Sequence, residues 1–347
     1  MNRAAVPEQR KANSMKRWRR WVKHGAIAAV AALVALVLAG TTYQALATRA
    51  DRRNFPPPGK LVDVGGHRLH IQCAGAGRPA VVLETGALGM SALWANVQPQ
   101  VAVHTRVCSY DRAGLGWSEP GPEPRDALHI TSELRILLRN AGEIPPYVIV
   151  GHSFGGLVAR VYTGRYPEDV VGLLLLDSSH PDQVARIEKL LGKPSFLEDE
   201  LLPASLPVLA RLGILRVGFG FTERFDGLGP RHAAEFKAFF VGASHQLAGK
   251  AEMEGWEETA AQTRDTRLPD DLPLIVISAG EEDPLSAEQR VRFELQEELA
   301  SLSSHGSHRI LAGTTHGSLV TNRAHSARVV EAIRELVEVT RSPEEKE

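Results

Sequence analysis

The stretch YVIVGHSFGGLVARVYTGRY, residues 147–166, constrains this chain more than any other part of it. A β-prone apolar run enters Gly151, His152, Ser153, Phe154, Gly155 and Gly156, and a helix-forming run leaves it at once. A bare GxSxG is common by chance, so its setting between strand and helix carries the weight. The residue at the apex of so sharp a reversal takes a strained backbone, and glycines are needed around it because Cβ atoms would strike the adjoining elements. That geometry lifts the Ser153 hydroxyl into the open, where the new helix aims its free amides and positive dipole end.

The rest of the globular part alternates short β-rich runs with longer helical ones, which predicts parallel strands joined by crossover helices. Strands are expected at Lys60–Val64, His67–Cys73, Ala80–Glu84, Thr105–Tyr110, Tyr147–Gly151, Val170–Leu176, Leu274–Ala279 and His308–Leu311. YVIVG and VVGLLLLD are continuous apolar runs, as expected of strands covered by helices on both faces. Gly65 and Gly66 fit a hairpin between the first two strands. Between Leu176 and Leu274 the rhythm breaks, and residues 179–267 read as an inserted helical cap. Its segments Leu201–Gly213 and Phe236–Leu247 are apolar enough to shape a pocket above the sheet or to pack the cap down. The core is thus expected over 60–178 and 268–339, with a polar tail at 340–347.

Ahead of the core the chain is asymmetric. Arg3, Arg10, Lys11, Lys16, Arg17, Arg19, Arg20 and Lys23 make residues 1–24 basic, and no charge follows from Gly25 to Thr48. As a helix rising about 1.5 Å per residue, segment 25–48 reaches roughly 33 to 36 Å, enough for a hydrocarbon core of about 30 Å. Positive charge is heavier before it than after it, so the N-terminus is expected in the cytoplasm and the remainder outside. The alternative is a secreted protein cleaved near Ala47, where Ala45, Leu46 and Ala47 read as an AxA site. Residues 49–59, with Pro56, Pro57 and Pro58, read as a stiff linker lifting the domain off the membrane. The net charge of -1 excludes the basic balance of nucleic-acid binders. Two cysteines, Cys73 and Cys108, are too few for a disulfide scaffold or a thiolate metal site.

The motifs ETGALG, SYDRAGLGWS, GHSFGG, SAGEEDP and GTTHG follow the third, fourth, fifth, seventh and eighth expected strands. In that order the chain resembles the α/β-hydrolase superfamily over about Lys60–Val339. The fold this implies is a mostly parallel eight-stranded sheet flanked by helices, with the cap after strand 6, to which the apolar stretch 25–48 adds one transmembrane helix in front. The resemblance makes Ser153 the nucleophile, Asp283 the acid and His316 the base. Glu281, Glu282 and Asp177 compete for the acid's place, Asp177 because some superfamily members keep their acid after the sixth strand. The backbone amides of Phe154 and Ala87 are the expected oxyanion donors, although Thr85 stands where the family usually has His, which leaves the bracing of that loop open. Asp111 and Arg112 are expected to fasten their own loop by local bonds. His152 is expected to orient the turn or line the pocket, and His180 to reach the pocket rim or stay structural. The family's usual strand order makes the second and fourth strands neighbours, so Cys73 and Cys108 could meet as a disulfide or lie as two buried thiols.

The chemistry stands on the residues as well. A serine hydroxyl attacks a carbonyl only when a base takes its proton, an imidazole does this near neutral pH, and a carboxylate holds that ring in the right tautomer. The expectation is a serine hydrolase that cleaves an ester, or an amide or thioester, of a small apolar acyl substrate without metal or organic cofactor. A serine at the elbow disfavours epoxide hydrolase and haloalkane dehalogenase chemistry, for which the superfamily places a carboxylate there. The rivals are a proline-iminopeptidase-type peptidase and a membrane-tethered binding protein that has lost activity.

Overall fold

The computed structural model describes residues 5–193, 202–218, 227–280 and 286–341. It opens with one long helix, α1 (Ala5–Asn54), which runs through the basic and apolar segments without a break. The sheet follows: β1 (Lys60–Asp63), β2 (Arg68–Ala74), β3 (Ala80–Glu84), β4 (Val107–Tyr110), β5 (Tyr147–His152), β6 (Val170–Leu176), β7 (Leu274–Gly280) and β8 (Gly306–Ala312). Their spatial order is β1-β2-β4-β3-β5-β6-β7-β8, with β2 antiparallel to both neighbours and every other pair parallel.

Alternate residues of the central strands enter two separate cores, because successive side chains of a strand leave on opposite faces. Val82, Ile149, Leu173, Leu175 and Val276 join one face, and Val81, Val148, Val150, Leu174 and Ile275 the other. The first face is covered by α3 (Ala127–Ala141) and α4 (Phe154–Arg165), and the second by α13 (Arg323–Thr340), whose Val329, Ile333, Leu336 and Val337 form its apolar stripe. The ends of these helices are chemically marked. Asp126 caps α3 through the His129 amide, Gly142 ends α3 with φ 81°, and Asn322 caps α13 through two amides.

Cys73 lies opposite Cys108 in the β2–β4 register, and the two are joined as a disulfide. Of the two arrangements left open by the sequence, the bridge is the one that forms.

Between β6 and β7 the described residues form α5 (Gln183–Leu191), α6 (Leu202–Arg211), α7 (Ile214–Gly218), α8 (Pro230–Phe240), α9 (Ala243–Glu254) and α10 (Trp256–Asp265). The last of these packs on α3 and α4, as part of the layer that covers the sheet. Short α2 (Gln98–Val101) precedes β4, α11 (Ala287–Ala300) follows β7, and short α12 (Ser318–Thr321) leads into α13. The linker differs from expectation, since residues 49–54 are helical and only 55–59 are not. The domain is not lifted away on a spacer. Asp51 pairs with Arg216 at 2.8 Å, and the Trp117 indole N–H donates to the Phe55 carbonyl at 2.8 Å, so the helix end is tied directly to the body.

Candidate active site

The chain turns one way from β3 to β4 and the other way from β3 to β5, so the carboxyl ends of β3 and β5 flank a topological switch point, where α/β sheets hold their ligands. Ser153 stands there between β5 and α4 with φ 55° and ψ −126°. A Cβ on Gly151 would lie 2.5 Å from the Gly155 carbonyl oxygen, one on Gly155 2.5 Å from the Thr85 oxygen, and one on Gly156 would collide with the Ser178 hydroxyl. The turn therefore closes only with glycine at these three places. Ser153 sits at the helix N-cap, yet its side chain makes no capping bond, which leaves the hydroxyl available.

Among the described residues, the non-glycine positions with positive φ are Leu88, Ser153 and Asp177, which follow β3, β5 and β6. Strain of this kind costs on the order of 1–3 kcal/mol per residue and persists where surrounding structure enforces it. Its confinement to three loops at one end of the sheet marks a built site.

His316, in the loop after β8, places Nδ1 2.5 Å from Oδ2 of Asp177, and the Ala279 amide donates to the other carboxylate oxygen at 3.1 Å. A carboxylate can only accept, so Nδ1 carries the hydrogen and Nε2 of neutral His316 keeps its lone pair. Burial opposes the charge on Asp177, but the His316 bond and the Ala279 amide outweigh it and hold the carboxyl below its usual 3.8. Ser153, Asp177 and His316 line one cavity of about 450 Å³ with Gln183, Arg292 and Phe293. Asp283, the expected acid, lies outside the described residues. Among the described residues the carboxylate on His316 Nδ1 is that of Asp177, the alternative that the sequence offered after the sixth strand.

His152 donates from Nε2 to the His316 carbonyl at 3.1 Å, and the two rings lie 4.5 Å apart. Burial, and secondarily the neighbouring His316, push its pKa down to about 3, so His152 is neutral in the fold. This bond ties the elbow to the loop that carries His316. His180 accepts at Nδ1 from the Asp182 amide at 3.1 Å and braces that turn.

Arg112 overturns the expectation that it binds only its own loop. Its guanidinium reaches across to Glu84, the Thr85 carbonyl at 2.7 Å, the Gly86 carbonyl at 2.8 Å and Glu252 of α9 at 2.6 Å. The Tyr110 hydroxyl donates to Glu84 as well. His245 accepts the Gly116 amide at Nδ1 and donates from Nε2 to the Leu88 carbonyl at 3.0 Å, the neutral form that its burial favours. The ETGALG loop is thus braced by Arg112 and His245 in place of a loop histidine. In a trans peptide the carbonyl and the next N–H point oppositely, so fixing the Gly86 carbonyl toward Arg112 turns the Ala87 N–H away from it. Gly86 lies against Ser153, with its Cβ position 3.4 Å from Oγ, and Ala87 packs beside Phe154. Asp111 does fasten its own loop, accepting the Ser91 amide at 2.6 Å and the Trp117 amide at 3.0 Å.

A family model described as the alpha/beta hydrolase fold matches residues 79–296, and the chain belongs to that family. Among solved structures it is similar to a putative lipase from Acinetobacter baumannii AYE, with a TM-score of 0.61 and 18% identity over 86% of this chain and 97% of that one. A thermophilic esterase from Thermogutta terrifontis gives a TM-score of 0.57 and 18% identity over 82% and 99% of the two chains. Among curated proteins, a 2-hydroxymuconate semialdehyde hydrolase from Pseudomonas sp. strain CF600 is 32% identical over 37% of this chain and 46% of its own length. A probable transporter, efuK, from Hormonema carpetanum is 35% identical over 34% of this chain and 18% of its own length. The chain thus spans less than half the length of these curated relatives.

Proposed function

We propose that the protein is a serine hydrolase that cleaves a carboxylic ester through an acyl-enzyme on Ser153, with His316 as base and Asp177 as the acid that orients it. The observation that carries this reading is the 2.5 Å contact between His316 and Asp177 in a cavity shared with a serine at the strained apex of a strand-turn-helix. His316 Nε2 takes the Ser153 proton as Oγ attacks the ester carbonyl, and Asp177 stabilises the imidazolium. The Phe154 and Ala87 amides receive the oxyanion. The imidazolium then protonates the leaving alcohol, and His316 deprotonates a water that attacks the acyl carbon and frees Ser153. An active-site fluorophosphonate tests this: labelling of the native protein that vanishes in Ser153→Ala supports the enzyme. A folded native protein that takes no label contradicts it and favours a binding role.

The apolar part of α1, with mean hydropathy 2.2 over its best 18 residues, supports a single-pass anchor with the basic end in the cytoplasm. The Cys73–Cys108 disulfide supports an oxidising, extracytoplasmic setting for the hydrolase part. Retention over cleavage is supported by buried Gln44, which donates to the Val241 carbonyl at 3.1 Å and accepts from Arg216 at 3.0 Å, since cutting near Ala47 would strip these partners away.

A further inference from the structure

The depth at which the cap meets α1 bears on where the cap itself lies. Counting from Gly25, the first residue after the basic segment, about 20 residues at 1.5 Å each fill a hydrocarbon core of about 30 Å, which sets its outer edge near Gln44. The turn between α6 and α7 touches α1 inside that edge. A Cβ on Gly40 would collide with the Leu212 carbonyl, and the Gly213 Cβ position lies 3.1 Å from the Tyr43 ring. Gln44, the polar residue that ends this stretch, has its amide satisfied by Val241 and Arg216 of the cap. Backbone groups in hydrocarbon must be bonded internally, and the α6–α7 turn meets this, with the Leu212 and Gly213 amides donating to the Val208 and Ala210 carbonyls.

Around this turn the cap presents apolar side chains that the described residues leave exposed: Val208 is 58% exposed, Ile214 49% and Val217 79%. The neighbouring Arg211 is exposed too and suits phosphate headgroups. From these positions we infer that the α6–α7 tip of the cap is a second membrane element, with Val208, Ile214 and Val217 embedded in the outer leaflet beside the anchor. Its occupant is the acyl region of the bilayer. The inference rests on α1 spanning the membrane. It adds that the cap is seated in the lipid and does not stand above it.

The full chain in phosphatidylcholine–phosphatidylglycerol vesicles tests both statements separately. A nitroxide is placed at Leu33→Cys in the span, Val217→Cys and Val208→Cys on the tip, and Val103→Cys as a reference that is 80% exposed on a loop before β4. Accessibility to oxygen and to a water-soluble nickel chelate is then read by power saturation. The expected result is that both tip positions follow Leu33, with nickel collisions roughly fivefold or more below those at Val103. Tip positions as open to nickel as Val103, with Leu33 protected, would overturn the inference while leaving the anchor intact. Nickel access at Leu33 itself would overturn the anchor and the inference together.

Discussion

His70 and Asp111 pair at 3.0 Å and His316 and Asp177 at 2.5 Å, each with an aspartate directly after a strand, yet only the second pair shares a cavity with the elbow serine. The His70 and Asp111 side chains are fully buried, with the Trp117 ring 4.9 Å from His70 and the Ser91 amide on the carboxylate, so neither faces solvent. His316 is 48% exposed and faces a cavity that also holds Ser153. Asp177 sits at φ 41°, whereas Asp111 is not among the strained residues. An Asp–His contact is therefore no signature of catalysis by itself. What separates the two is an open ring edge, a serine in the same cavity and a positive φ at the aspartate.

The same substitution made in both histidines should split activity from stability. His316→Gln is expected to lower kcat on the order of 10⁴ to 10⁶-fold with the melting temperature held, measured by ester turnover and calorimetry. His70→Gln should do the reverse, costing about 2–3 kcal/mol, or roughly 5–10 °C in Tm, with kcat within about threefold of native. Arg112→Lys probes the brace between these regions, because a point charge cannot hold two carboxylates and two carbonyls at once. It should lower kcat about 10²-fold with little change in KM, as expected when an oxyanion donor is misaimed.

The smallest effect is in acid. His152 has its pKa depressed from 6.5 to about 3 in the fold, so between these values the unfolded chain binds the extra proton. Stability should then fall as pH drops from 6.5 toward 3, and His152→Asn should flatten that slope in urea titrations at stepped pH. An unchanged slope would mean that His152 is not held neutral beside His316.

The sheet was legible because strands buried on both faces have no alternation to misread, and β3, β5 and β6 fall within a residue of their expected ends. Ser153 was legible because only glycine fits at 151, 155 and 156, a constraint that survives into the letters. The acid was not. LLLLDSS ends like any buried strand, and SAGEEDP offers three carboxylates where the superfamily resemblance looks first. The small pair Ser178 and Ser179 after Asp177, packed against Gly156 and bonded back to the Ser153 carbonyl, was the available signal. Arg112 was read as local because sequence shows which loop a side chain leaves and not which one it reaches. The clamp on α1 was hidden for the same reason, since Gln44 is a single polar letter whose partners lie 172 and 197 residues away.

The assignment of the acid is tested most directly by comparing Asp177→Asn with Asp283→Asn in kcat for a p-nitrophenyl ester. Asp177→Asn should fall about 10⁴-fold, as when a triad histidine loses its tautomer, and Asp283→Asn should stay within about tenfold of native. The opposite pattern, with Asp283→Asn crippled and Asp177→Asn nearly native, would contradict the account.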